Sequence, residues 1–198
     1  MTGIIDYGVG NLFSLAASLK KLGIAAEVQK NPGELYKYER IILPGVGAFP
    51  DAADKLSAAG MDTALKAEAE KGKPILGICL GMQLLFDKSL EFYEKPGLGL
   101  IPGTVVPIET DLKIPQIGWN SLEFCGRSPI FKYLKDGEYV YFVHSYHAVG
   151  CDRYITAVTD YGARVTAAVQ NKNVYGTQFH PEKSGDCGLK ILKAFSEL

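Results

Sequence analysis

The stretch Gly77-Ile78-Cys79-Leu80-Gly81 constrains this chain more than any other. Pro74 to Ile78 is short and apolar and reads as a buried strand, whereas Leu80 to Phe86 carries helix formers with apolar residues at helical spacing. Cys79 therefore falls on a strand-to-helix corner. Glycines two residues before and two after it meet the demand of a G-x-S-x-G nucleophile elbow, with a thiol replacing the hydroxyl, because side chains there would strike the neighbouring strand and helix. Such a corner exposes the sulfur to free amide hydrogens and to the positive end of a helix dipole, which activates it. The same pentapeptide also suits a small buried cysteine ending a core strand, so the rest of the chain has to decide.

The 198 residues suffice for one domain with a substantial core, and we expect a single domain over 1–198. With 21 Lys+Arg against 22 Asp+Glu the net charge is −1, which offers no electrostatic grip on nucleic acid or acidic lipid. The N-terminus lacks a basic, apolar leader and no run approaches a membrane span, so neither secretion nor a membrane is expected. Cys79, Cys125, Cys151 and Cys187 are too widely spaced for C-x-x-C metal or redox motifs. We expect a reducing, cytoplasmic compartment, no cofactor, and structural or incidental roles for the last three cysteines.

Along the chain, Gly3 to Asp6 reads as a strand, Leu12 to Leu22 as an amphipathic helix stopped by Gly23, Ile24 to Val28 and Arg40 to Leu43 as strands, and Asp51 to Ala58 and Asp62 to Lys71 as helices. A dinucleotide fingerprint at Gly8-Val9-Gly10 fails because Phe13 occupies its third glycine position. The alternation predicts an α/β fold whose mostly parallel or mixed central sheet is flanked by helices. After Phe86 the segments 97–109, 117–124, 139–146, 154–159, 165–170 and 174–179 are short and β-rich, predicting a smaller antiparallel or mixed portion with some strands extending the main sheet. Asp186 to Leu198 closes the chain as a helix.

A cysteine nucleophile needs a base, and the base an orienting group. Of three histidines, His180 stands in Phe179-His180-Pro181-Glu182, where proline imposes extended geometry on its predecessor. In extended chain, positions two apart share a face, so Glu182 can engage one imidazole nitrogen while the other meets a sulfur. His144 and His147 have no nearby carboxylate and no third ligand for a metal, and read as surface or packing residues. A developing oxyanion needs donors, which Gly45, Val46 and Gly47 at the end of a strand, with Leu80 at the elbow, can supply as backbone amides.

These residues carry a resemblance. Gly77 to Gln83 together with Phe179 to Ser184 resembles the class I (triad) glutamine amidotransferases. Within that family, Asp6 to Leu12, Pro44 to Phe49, Gly99 to Gly103 and Gly118 to Asn120 are similar to the branch whose glutaminase subunits feed a cyclase in imidazole glycerol phosphate synthesis. The resemblance implies hydrolysis of L-glutamine, with Cys79 attacking the side-chain amide, His180 moving the proton and Glu182 orienting it. It implies that Gln83, Glu91, Ser145 and Tyr146 hold the substrate. It also implies a heterodimer with an eight-stranded barrel cyclase of histidine biosynthesis, docked on Gly8, Val9, Gly10, Asn11, Trp119 and Asn120. Leu90 and His147 depart from the family pattern, which often has an acidic residue and an arginine there. Trp119 fits either a docking surface or the core.

Ammonia released into neutral water is mostly protonated and lost as a nucleophile, so a synthase partner is also expected chemically. The glycines flanking Val46 let a peptide of that loop rotate, and we expect partner binding to favour the active orientation, leaving the free subunit nearly idle. Another amidotransferase acceptor, a stand-alone γ-glutamyl thiol hydrolase, and a non-catalytic module that kept the fold, against which intact Cys79, His180 and Glu182 argue, are the rival readings.

Overall fold

The computed structural model describes residues 1–198, and its first half alternates strand and helix as the apolar pattern requires. In order come β1 (Thr2–Ile5), α1 (Leu12–Lys21), β2 (Ala26–Gln29), β3 (Arg40–Gly45), α2 (Phe49–Ala58), α3 (Met61–Glu70), β4 (Ile75–Cys79) and the single turn α4 (Leu80–Gln83). The second half holds β5 (Phe86–Ser89), β6 (Lys95–Pro96), β7 (Ile101–Pro107), β8 (Gln116–Ser121), β9 (Glu123–Phe124), β10 (Tyr139–His144) and β11 (Tyr146–Val149). It ends with β12 (Ile155–Asp160), β13 (Arg164–Asn171), β14 (Val174–Thr177) and α5 (Gly185–Ser196).

The central sheet runs β2-β1-β3-β4-β14-β13-β12-β9. Its first five strands are parallel and the remaining three antiparallel. Strands β3 and β4 are buried on both faces, with Ile41, Leu43 and Ile75 turned to the α2–α3 side and Ile42, Leu76 and Ile78 to the α1–α5 side. Continuous apolar runs of this kind are what a doubly covered parallel sheet selects. A four-stranded sheet, β11-β7-β5-β6, and the antiparallel pair β10-β8 form the smaller β portion. It is mixed, since β5 and β7 pair in parallel while its other pairings are antiparallel. No helix is long and apolar enough to cross a membrane.

Among the boundaries that differ from the sequence reading, two shape the corner at Cys79. The helix expected over Leu80 to Phe86 stops at Gln83. Leu84, Leu85 and Phe86 are fully buried, and the Leu84 and Leu85 carbonyls accept from Leu98, Leu100 and Ile101 instead of from a continuing helix. Tertiary pairing thus overrides local propensity. Conversely, β3 runs two residues past Leu43, so Gly45 is a strand residue in register with Cys79, and the loop begins at Val46.

Candidate active site

At the end of β4, Cys79 adopts φ 54° and ψ −111°, a left-handed conformation rare for a residue with a side chain. The flanking glycines explain how the corner is tolerated. A Cβ on Gly77 would lie 2.6 Å from the Gly81 carbonyl oxygen, and one on Gly81 only 1.8 Å from that of Leu43. The elbow is therefore pressed against β3 and closes only with glycine at both places. Because α4 has four residues, little dipole stands behind the sulfur, contrary to the helix-dipole expectation. What the sulfur has is a side-chain donor: Gln178 Nε2 donates to Sγ at 3.8 Å, while the thiol faces the Val143 carbonyl at 4.0 Å.

His180 follows β14, beyond the neighbouring end of the same sheet, and lines the same cavity as Cys79. Its Nδ1 donates to Glu182 Oε1 at 2.8 Å. The local geometry differs from the extended dipeptide anticipated. His180 itself is extended, but Pro181–Lys183 forms a 3-10 turn with proline at its start, and the turn brings Glu182 back onto the ring. The backbone of His180 is clamped on both sides: its N–H donates to Tyr141 O at 3.0 Å and its carbonyl accepts from Ser184 Oγ at 2.7 Å. Burial by itself lowers the basicity of the ring. Negative charge on the Cys79 sulfur and on Glu182 outweighs it and raises the pKa from 6.5 to about 9.

Cys79, Leu80, Gln83, Glu91, Ser145, Tyr146 and His180 share one cavity of about 390 Å³ with Val46 and Gly47. The volume suits an amino-acid-sized ligand. Gly45 lies beside Cys79 in the sheet but does not line the cavity. Gln83 Nε2 donates to Tyr146 O at 3.0 Å and to Gln178 Oε1 at 3.1 Å, so its carbonyl oxygen is left for a ligand. Glu91 is already engaged on one side: Oε2 accepts from Phe49 N at 2.7 Å and so caps the start of α2.

The six expected docking residues are absent from the cavity wall. Gly8 is exposed, Val9 and Gly10 are half-buried, and Asn11 is occupied as the N-cap of α1. Trp119 is 53% exposed and stacks edge-on against Tyr141, which removes the core alternative. Asn120 spends its side chain internally on Gln116 and Asp160. His144 and His147 are buried, not surface residues, and burial pushes both pKa values down, that of His144 to about 4. Leu90 is exposed and His147 lies away from the cavity lining.

Sequence reasoning missed Gln178, Ser184, His144 and Lys183 as neighbours of the site. Only Gln178 left a local signal, standing two residues before His180 and so on the same side of an extended chain. All four cysteines are free, and no cluster of His, Cys, Asp or Glu suits a metal.

The chain matches the family described as Glutamine amidotransferase class-I over residues 3–196. The imidazole glycerol phosphate synthase subunit HisH of Caldanaerobacter subterraneus subsp. tengcongensis is 51% identical over 199 residues, covering 100% of this chain and 98% of the relative. That of Wolinella succinogenes is 48% identical over 204 residues, with 100% of both covered. The structure of PurLQS from Thermotoga maritima superposes with TM-score 0.78 at 23% identity over 98% of this chain and 96% of the other, a likeness of fold. A glutamine amidotransferase crystal structure gives TM-score 0.77 at 20% identity over 98% of each chain. With an elbow cysteine, a buried His-Glu pair and a full-length match to these relatives, the chain belongs to the class I glutamine amidotransferases, in the branch of the HisH subunits of imidazole glycerol phosphate synthase.

Proposed function

We propose that residues 1–198 act as one glutaminase domain that hydrolyses L-glutamine through Cys79, His180 and Glu182. The observation that carries this reading is His180, held by Glu182 at 2.8 Å on one nitrogen and lining one cavity with Cys79. His180 takes the Cys79 thiol proton as the sulfur attacks the γ-carboxamide carbon, forming a C–S bond and a tetrahedral oxyanion. Amides of Val46 and Gly47 and of Leu80 receive that charge. His180 gives its proton to the departing nitrogen, the C–N bond breaks, and ammonia leaves a thioester. His180 then takes a proton from water as the water attacks the thioester carbon, the C–S bond breaks, and the proton returns to the sulfur as glutamate is released. Glu182 keeps the imidazole in one tautomer and balances its charge.

Gln83, Ser145 and Tyr146 hold the substrate against the cavity wall, and the Glu91 oxygen not used by Phe49 meets its α-amino group. The ammonia goes to an eight-stranded barrel cyclase subunit that makes imidazole glycerol phosphate for histidine biosynthesis. The relatives' description as subunits of that synthase supports this destination. Docking uses Gly8 to Asn11, Trp119 and Asn120, on the side where the parallel strands end. Four free thiols support work in a reducing, cytoplasmic setting.

The test is a glutaminase and synthase assay with and without the cyclase, on wild type and Cys79→Ala. Alanine is expected to lower glutamine-dependent synthesis by on the order of 10⁴-fold or more while synthesis from ammonium salts persists. Equal glutamine turnover by the free subunit and by the loaded complex would contradict activation by docking.

A further inference from the structure

Tyr7 follows β1, yet its side chain works at the end of β3. The ring is buried, 6% exposed, and the hydroxyl donates to the Pro44 carbonyl at 3.1 Å. That carbonyl shares one planar peptide with the amide of Gly45, so fixing the oxygen fixes the direction of the N–H. The backbone here has no slack. A Cβ on Gly45 would stand 2.9 Å from the Tyr7 hydroxyl and 2.7 Å from the nitrogen of Gly81, which wedges this peptide between the tyrosine and the elbow.

The donor is also constant. Burial first, and then the charges of Cys79 and Asp51, raise the Tyr7 phenol well above its ordinary value, so it keeps its proton wherever the protein is folded. A second contact reaches the same proline from the same loop. Gly10, at φ +127°, lies so close that a Cβ there would be 3.2 Å from Pro44 Cγ. Tyr7 and Gly10 thus grip Pro44 from either end of the exposed turn that precedes α1.

We propose that Tyr7 is a positioning residue for glutamine hydrolysis: its hydroxyl fixes the Pro44–Gly45 peptide, sets the aim of the amides that follow, and ties them to the loop 8–11. This rests on the glutaminase reading given above. The tie means that movement of the docking loop reaches the oxyanion donors through one hydrogen bond and one proline ring.

Tyr7→Phe removes the oxygen and keeps the ring. It is tested in the complex with the cyclase subunit, by steady-state glutamine hydrolysis, ammonia-dependent synthesis, the rate of Cys79 alkylation by iodoacetamide, and the thermal midpoint. The kcat for glutamine is expected to fall about tenfold, less than the 10²–10³ that outright loss of an oxyanion donor brings, with KM unchanged within about twofold. Alkylation and ammonia-dependent synthesis are expected to stay at wild-type rates, because neither uses those amides. A kcat within about twofold of an active wild type would overturn the proposal. So would a loss confined to the thermal midpoint or a failure to fold, either of which makes the hydroxyl a structural element. A wild type without glutaminase activity would instead remove the reading on which the proposal rests.

Discussion

Two histidines meet the same cavity, each using Nδ1 to reach an oxygen at 2.8 Å, and they end with opposite properties. At the turn after β14 the oxygen belongs to the Glu182 carboxylate, and His180 is raised to about 9. At the corner between β10 and β11 it is the Tyr146 backbone carbonyl, and His144 is pushed down to about 4 by burial, with a smaller opposing contribution from that bond. Distance and nitrogen are matched, and both rings are buried, so charge on the acceptor and on the facing sulfur makes the difference. A carbonyl supplies a dipole, whereas a carboxylate supplies an ion that the protonated ring can pair with. The first arrangement favours a charged ring and the second a neutral one.

Exchanging each ring for asparagine breaks the comparison most sharply, since the amide nitrogen keeps a donor where Nδ1 stands. His180→Asn is expected to lower glutamine hydrolysis by about 10³–10⁴-fold, and His144→Asn by no more than about tenfold. Equal losses, read from kcat in the complex, would merge the two sites into one. Removing the ion while keeping the oxygen comes next. Glu182→Gln is expected to cost about 10²-fold in kcat, the low end of what a positioned base contributes, and to move the limb of the pH profile that reports His180 to lower pH. An unmoved limb would show that the sulfur alone sets the charge of the ring.

The smallest effect is on stability. His144 titrates near 6.5 when unfolded and near 4 when folded, so between these values the unfolded chain binds the extra proton. Its neutral form therefore stabilises the fold above about 6.5, and this contribution drains away as pH falls toward about 4, by about 3 kcal/mol at most. His180 has the reverse sign: its contribution is full below 6.5 and is lost as pH rises through about 9. Urea midpoints at pH 7 and pH 5 check the first half. The difference between them should shrink by about 2 kcal/mol in His144→Asn relative to wild type, and an unchanged difference would contradict the buried neutral ring.

The comparison also marks what one sequence makes legible. The elbow at Gly77-Ile78-Cys79-Leu80-Gly81 and the pairing of His180 with Glu182 are written in a few adjacent residues, although the 3-10 turn that makes the pairing is not the extended chain expected. The alternation of strand and helix up to Cys79 is local in the same sense, and the parallel half of the sheet follows it closely. Trp119 left surface and core equally open, because one aromatic residue carries no direction until β8 and β10 pair. Glu91 capping α2, Tyr7 holding Pro44 and Gln178 facing Cys79 join residues 42, 37 and 99 positions apart, and nothing within either segment announces the other. Helix α4 ended early for the same reason, since Leu98, Leu100 and Ile101, which capture the Leu84 and Leu85 carbonyls, lie later in the chain.

The central claim is that the sulfur at residue 79 is the atom that bonds to glutamine, and the most direct measurement is peptide mass spectrometry of the complex after treatment with a glutamine analogue carrying an electrophilic γ-carbon. The account predicts a single adduct on the peptide that contains Cys79, absent in His180→Asn and blocked by excess glutamine. An adduct on Cys125, Cys151 or Cys187 instead, or none on Cys79 in an active complex, would contradict it.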